Sequence, residues 1–274
     1  RQRIESDIGS IDLLALLRSL QEAAERRDLQ IYLKDPAAAE VLSTTGWDGH
    51  LDNSLGQDYL LVVDMSLGFN KVSAIIDKQM NYHVTIPDAG QPTANLLVRY
   101  THQGEPSSEP CKHGTIYTAD LTYSDMFEDC YWNYVRVYVP QGSELLGSSS
   151  DPVDPDHLLS GKAWEGSARV SPESNDRFTV FDSFYLVEQG QQVDGEFFYA
   201  PPSSIVKRSD GASTYSLEVA KQAGIADHPL SVWVTLPEGA EILNTDPEPS
   251  MIDGNQVVFD ETLVSDMFFE VVYR

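Results

Sequence analysis

One sequence pattern occurs twice in this chain of 274 residues, and it constrains the fold more than any other feature. Residues 135–146 read VRVYVPQGSELL and residues 232–243 read VWVTLPEGAEIL. In each copy, residues that alternate with period two are followed by Pro-x-Gly-x-Glu and two aliphatic residues. The alternation predicts a half-buried strand, and the Pro-x-Gly turn predicts a hairpin or a crossing from one sheet to another. The recurrence of the whole pattern predicts two related β-sandwich modules in tandem.

The chain as a whole predicts a mainly β fold, in which a short N-terminal α/β segment precedes two tandem antiparallel β-sandwich (Ig-like) modules. From residue 58 to the C-terminus, short strand-like runs alternate with turn clusters, as is typical of all-β sandwiches. The Ser, Pro, Asp and Gly content of residues 147–161 indicates a linker or long surface loop. The predicted boundaries are 1–57 for the N-terminal segment, which we interpret as the tail of a larger domain, 58–147 for the first module, 148–161 for the linker and 162–274 for the second module.

The N-terminal segment has helical periodicity that the rest of the chain lacks. Ser10 is placed to cap a first helix, with Asp12 in its first turn. Residues 29–34, LQIYLK, alternate as a short strand, and Asp35-Pro36 predicts the start of a second helix that ends near Gly46. The apolar side of the first helix consists of Leu13, Leu16, Leu17, Leu20 and Ala24.

The charge balance excludes several classes of partner. The chain has 43 acidic residues against 18 Lys and Arg, a formal net charge of -25, so nucleic acid and anionic lipid would be repelled. No apolar run is long enough to span a bilayer, and the sequence opens without a signal peptide or an initiator Met. We therefore expect a piece of a longer extracytoplasmic protein, attached to a membrane only through an N-terminal anchor that is missing here.

Cys111 and Cys130 are the only cysteines. The segment between them includes a strand-like run, TIYTADLTY, so the two thiols are predicted to face each other across a hairpin as a disulfide. Two alternatives remain, a zinc site with the nearby His102 and His113, and a pair of buried free thiols.

Two turn motifs contain residues that chemistry can use. Trp47, Asp48 and His50 place an aromatic ring, a carboxylate and an imidazole together, as a hydrolase site would, although a structural turn in which Asp48 caps backbone amides is the simpler interpretation. Asn70-Lys71 follows a buried strand, and we interpret it as a structural turn with Lys71 paired to Asp58 or Asp64.

Two further groups are candidate binding residues. Asp151, Asp154 and Asp156 offer oxygens at calcium-like spacing, with a solvated acidic linker as the alternative, so we expect no cofactor unless calcium binds there. Tyr134 and Tyr138 share a strand face with Arg136, while Val135, Val137 and Val139 point the other way. If the tyrosine face is exposed, it is a candidate surface for a sugar or a protein; buried cross-strand pairing is the alternative.

Five motifs follow one another along the chain: YLKDP (32–36), GWDG (46–49), DYLLVVDMSLGFNK (58–71), YHVTI (82–86) and NYVRVYVPQGSEL (133–145). Their order resembles that in the C-terminal half of the bacterial domain of unknown function 4012 family. The resemblance implies an envelope protein with an N-terminal transmembrane helix and an extracytoplasmic, β-rich region. The N-terminal motifs of the family are absent from this sequence.

These observations favour a non-enzymatic envelope or cell-surface protein that acts through protein–protein contacts, as a subunit of a larger assembly. One alternative is a module that binds cell-surface glycan. The other is an accessory part of an enzyme acting on cell-wall polymer, whose active site would involve Asp48, His50 or the N-terminal part that is absent here.

Overall fold

The computed structural model of the protein describes residues 12–51, 56–114, 122–209 and 211–274. Two helices and fifteen strands lie within these ranges, which makes the fold mainly β. The helices are α1 (Leu13–Glu25) and α2 (Pro36–Thr44). The strands are β1 (Asp58–Ser66), β2 (Ile76–Thr85), β3 (Thr93–His102), β4 (Tyr131–Pro140), β5 (Glu144–Ser149), β6 (Arg169–Val170), β7 (Phe178–Val187), β8 (Gln192–Ala200), β9 (Val206–Ser209), β10 (Ala212–Ala220), β11 (His228–Thr235), β12 (Ile242–Asp246), β13 (Met251–Asp253), β14 (Gln256–Leu263) and β15 (Met267–Tyr273).

The two helices belong to one compact unit, together with residues 221–225. Asp12 caps α1 by accepting hydrogen bonds from the amides of residues 14 and 15, so it precedes the first turn instead of lying in it. Ser10, the predicted cap, lies outside the described residues. The start of α2 is as predicted, since Asp35 accepts the amide of Ala38 and Pro36 occupies the first helical position.

The predicted strand over residues 29–34 is wrong. This segment has no strand pairing. A backbone hydrogen bond from the amide of Ile31 to the carbonyl of Trp47 connects it to the turn that follows α2. A short alternating run forms a strand only when a neighbouring strand offers a ladder of hydrogen bonds, and the unit of α1 and α2 offers none among its described residues. The described part of the N-terminal segment is therefore helical, not α/β.

All fifteen strands lie in the second unit, where they form two mixed sheets. The first sheet has the order β12-β15-β10-β1-β4-β7-β6, with β9 also paired to β10. The second sheet has the order β13-β14-β11-β2-β3-β8-β5. Apolar side chains from both sheets pack into one continuous cluster, as in a β-sandwich.

The strand order contains an internal repeat. Strands β3 to β8 divide into two antiparallel triplets, β3-β8-β5 in the second sheet and β4-β7-β6 in the first. Strands β10 to β15 divide in the same way, β10-β15-β12 in the first sheet and β11-β14-β13 in the second. Between the triplets, β1 and β2 run antiparallel to their neighbours β4 and β3 and parallel to β10 and β11. The two halves thus share both sheets.

Two tandem Ig-like modules with a linker over 148–161 are not confirmed. Residues 150–168, which include most of that predicted linker, connect β5 to β6 inside the first half of the sandwich. Strands β7 and β8, which the sequence assigned to a second module over 162–274, pair with β4 and β3 of the predicted first module over 58–147. The change from first to second half comes after β8, because the next two strands, β9 and β10, pair with each other and β10 pairs with β15.

The repeated Pro-x-Gly pattern crosses between the sheets, which is one of the two connections that the sequence allowed. The first copy connects β4 in one sheet to β5 in the other, and the second copy connects β11 to β12. In both turns the amide three residues after the proline donates to the proline carbonyl, at 3.1 Å. Gly142 and Gly239 have φ values of 87° and 79°, which glycine adopts without strain.

Candidate functional site

The predicted binding face of Tyr134, Arg136 and Tyr138 is half-buried and already occupied by side chains of the protein itself. As predicted, the valines between them point into the core. The Arg136 guanidinium lies 5.5 Å from the centre of the Tyr134 ring and forms two short bonds to Glu173, at 2.7 and 2.9 Å. Its Nε lies 3.7 Å from the buried carboxylate of Asp182. The tyrosines of this half-buried face thus lie beside an arginine that is paired with carboxylates of the same chain.

The disulfide between Cys111 and Cys130 is present and belongs to a second, smaller core. Trp132 lies at its centre, where its ring stacks on His113 at a centroid distance of 5.1 Å. His113 and His102 each bond a backbone carbonyl, of Leu67 and Asp129 respectively. Residues 115–121, which carry most of the predicted strand between the cysteines, lie outside the described residues.

The two predicted turn motifs use their polar groups on the backbone. Asp48 accepts the amide of His50 at 2.9 Å, and Trp47 is half-buried. Asn70 donates to the carbonyl of Cys130 at 3.1 Å and accepts the amide of residue 72. The predicted pairing of Lys71 with Asp58 or Asp64 is wrong, because Lys71 is exposed and both carboxylates have other partners.

The described residues contain no group of three His, Cys, Asp or Glu side chains that is suited to a metal ion. Asp151, Asp154 and Asp156 are all exposed on the β5–β6 connection. Within the described ranges there is also no helix of the length and apolar character that a membrane span requires.

The sequence interpretation missed a layer of polar side chains between the sheets. Its first group surrounds Asp58, which is completely buried at the start of β1. Tyr82 and Tyr215 each donate a hydroxyl to one carboxylate oxygen at 2.7 Å, and the amide of Tyr59 donates to the other at 2.9 Å. Burial raises the Asp58 pKa to about 6, although these hydrogen bonds act in the opposite direction.

The second group surrounds Asp64, six residues further along β1 and therefore on the same face. One carboxylate oxygen accepts the Lys78 ammonium at 2.7 Å. The other accepts the Tyr100 hydroxyl at 2.5 Å and the Asn133 amide at 2.9 Å. The sequence does contain a signal for these buried carboxylates, because Asp58 and Asp64 are separated by an even number of positions within the apolar run DYLLVVDMS. In a strand they share a face with Leu60, so both point into the core if Leu60 does.

A shallow cleft of about 270 Å³ lies beside the second Pro-x-Gly turn. Asp88, Arg208, Ser213 and Tyr273 contribute to its lining. The Tyr273 side chain is only 4% exposed, so its ring offers no surface on which a sugar could stack.

The apolar side of α1 is exposed, although the helix forms as predicted. Leu13 and Leu17, one turn apart, are 65% and 54% exposed, and Leu14, Leu16 and Leu20 are also exposed. Ala24 at the C-terminal end is the buried residue of the helix. Lys221, in the same unit, donates to the carbonyl of Arg26 at the helix end at 3.3 Å, where a positive charge complements the helix dipole.

No protein-family model matches this chain, and no curated protein matches it. Among solved structures, the chain is similar to an M1 zinc metallopeptidase from Deinococcus radiodurans, with 11% identity and a TM-score of 0.32 over 72% of this chain and 42% of that one. It is also similar to a structure named as a nutrient binding protein from Legionella pneumophila, with 8% identity and a TM-score of 0.40 over 78% of this chain and 70% of that one. The chain thus spans less than half the length of the metallopeptidase, and likenesses this weak carry no argument about function.

Proposed function

We propose that this chain is a non-enzymatic structural component of the cell envelope or cell surface that acts through protein–protein contacts. The exposed leucine side of α1 carries the proposal. Five exposed leucines on one short helix leave apolar surface in water, and such surfaces are typical of sites that a protein partner covers. The partner that fits is a protein with an apolar groove or helix of its own, since burial of these leucines supplies the contact energy.

Three observations support the extracytoplasmic part of the proposal. The Cys111–Cys130 disulfide is compatible with an oxidising compartment, where such bonds persist. The net charge of -25 keeps the surface solvated and disfavours nucleic acid and anionic lipid as partners. The resemblance to the domain of unknown function 4012 family points the same way and stays a prediction.

The alternative functions receive less support from the described residues. A glycan-binding face would need exposed aromatic rings, whereas Tyr134 and Tyr138 are half-buried beside an arginine that is bound to Glu173. Asp48, the carboxylate of the enzymatic alternative, accepts a backbone amide of its own turn, as a structural turn residue does. The proposed role needs no cofactor, and a calcium ion on the exposed aspartates of 151–156 would be incidental to it.

The test is the native mass of the protein extracted gently from its own cells, measured by size exclusion with light scattering. We expect the wild type in a defined assembly and a variant with Leu13→Glu and Leu17→Glu as a monomer. Leu159→Glu, which changes an equally exposed leucine of the sandwich unit, is the matched control and should stay assembled. A wild type that elutes as a monomer, or an assembly that the double variant keeps, would refute the proposal.

A further inference from the structure

Asp64 holds an amine and a carboxamide on the two sides of one carboxyl group. Lys78 Nζ lies 2.7 Å from Asp64 Oδ2, and Asn133 Nδ2 lies 2.9 Å from Asp64 Oδ1. The three residues come from β2, β1 and β4, so the amine belongs to one sheet and the amide to the other. The carboxyl group is therefore in contact with both reactants of an amide exchange.

This trio is shielded from water. The Lys78 and Asp64 side chains are 8% and 9% exposed, and Asn133 is completely buried. The rings of Tyr131 and Tyr185 pack against that of Tyr100, whose hydroxyl is bonded to Asp64, with centroid distances of 6.4 and 5.8 Å. The short Nζ–Oδ2 contact gives the proton of the amine a direct path to the carboxylate. A neutral lysine amine is a nucleophile.

We propose that Lys78 and Asn133 join through an isopeptide bond, with Asp64 as the catalytic acid and base. The proton on Lys78 passes to Asp64, and the freed Nζ attacks Cγ of Asn133. The new Nζ–Cγ bond forms, Asp64 returns its proton to Nδ2, and the Cγ–Nδ2 bond breaks as Asp64 carries a second proton from Nζ to the leaving nitrogen. One lysine ammonium and one primary amide give one secondary amide and one ammonium ion. Nothing is oxidised or reduced, and no co-reactant takes part.

The amide of Asn133 has an unused acceptor that fits this chemistry. Its Oδ1 is buried and has no hydrogen-bond partner among the described residues. The oxygen and nitrogen of a carboxamide exchange places by a half-turn of the side chain. After that turn, a protonated Asp64 donates to Oδ1 and polarises the carbonyl that the amine attacks.

The bond would clamp the two sheets together. Lys78 on β2 and Asn133 on β4 would become covalently joined across the space between the sheets. This inference does not rest on the proposed function, because it concerns a modification of the sandwich unit alone.

The test is the intact mass of the purified wild-type chain after reduction of its disulfide. We expect a mass below that of the sequence by one ammonia, about 17 Da. Trypsin should then fail to cleave after Lys78, and tandem mass spectrometry should find the peptide of Lys78 linked to that of Asn133. A mixture of linked and unlinked chains also supports the inference. A wild type that shows only the full sequence mass, or an ammonia lost elsewhere in the chain, overturns it.

Three variants separate the roles of the residues. Asp64→Ala keeps both reactants and removes the proton carrier, so it should have the full sequence mass. Lys78→Met should also show no loss of ammonia, whereas Lys71→Met, which changes a nearby exposed lysine, should lose ammonia as the wild type does. A linked Asp64→Ala chain would overturn the role of Asp64. The wild-type measurement stands even if a variant fails to fold.

Discussion

Asp58 should make the stability of this protein fall as the pH rises from about 4 to about 7. Its pKa is raised from the ordinary value of 3.8 to about 6, because the carboxyl is completely buried and the groups that donate to it, two tyrosine hydroxyls and a backbone amide, are uncharged. A raised pKa means that the folded state binds the proton more tightly than the unfolded state. The stabilising contribution is complete below pH 3.8 and is lost as the pH rises through about 6. Each pKa unit is worth about 1.4 kcal/mol, so the loss is about 3 kcal/mol.

Asp58→Asn removes the titrating group and keeps the shape of the side chain. We expect the free energy of unfolding of the variant minus that of the wild type to rise by about 3 kcal/mol between pH 4 and pH 7.5. Urea denaturation of both proteins at a series of pH values measures this difference. The difference between the two proteins is the informative quantity. Repulsion among the other acidic residues affects both chains equally and cancels from it.

Asp151→Asn is the matched control, since it removes an exposed carboxyl with the same change in charge. Its difference from the wild type should stay within about 0.5 kcal/mol over the whole pH range. A difference for Asp58→Asn that does not vary with pH would refute the reasoning. So would a difference that falls as the pH rises.

The packing supports three further predictions. Replacing Cys111 and Cys130 by serine should lower the free energy of unfolding by about 3 kcal/mol, because the bridge joins residues 19 positions apart; an unchanged transition in calorimetry would contradict this. Gly195→Ala should destabilise by about 1–3 kcal/mol in urea unfolding, because a methyl there meets a buried tyrosine ring, and a neutral effect would show that the ring moves aside. Lys78→Ala should cost at least about 3 kcal/mol, because it removes the partner of the buried Asp64 carboxyl and with it the proposed bond to Asn133, whereas exposed Lys71→Ala should change little; equal effects in the same assay would contradict a structural role for Lys78.

The local features of the fold were predictable because local chemistry determines them. The Pro-x-Gly turns, the cap at Asp35 and the inward-facing valines of β4 each depend on a few adjacent residues. The pairing of strands is not local. Nothing near Asp58 in the sequence indicates that its strand runs parallel to the strand of Leu217, and this pairing is what merges the two halves into shared sheets.

The candidate site residues show the same contrast between local contacts, which the sequence predicts, and contacts between distant segments, which it does not. Asn70 and Asp48 were recognisable as turn residues because their partners lie within a few positions or in the adjoining loop. The sequence shows that Asp64 is a carboxylate within an apolar strand. Whether Lys71 or Lys78 pairs with it depends on where the following strand, β2, begins. Residues 72–75 form a short 3₁₀ turn, so the strand that faces β1 begins only at Ile76.

The parallel pairing of β1 with β10 and of β2 with β11, which joins the two halves, affects how the chain folds as it is synthesised. Strands β1 and β2 form early in the chain, but their parallel neighbours β10 and β11 follow well over a hundred residues later. Closing loops of this length is slow, so folding of the complete sandwich should be slow compared with that of a helical domain of equal size. Until the second half emerges, both sheets of the first half present an open edge on the same side, the kind of edge that pairs with other chains. A growing chain therefore passes through a stage in which aggregation competes with completion of the sheets, and that stage lasts as long as the synthesis of residues 201–273.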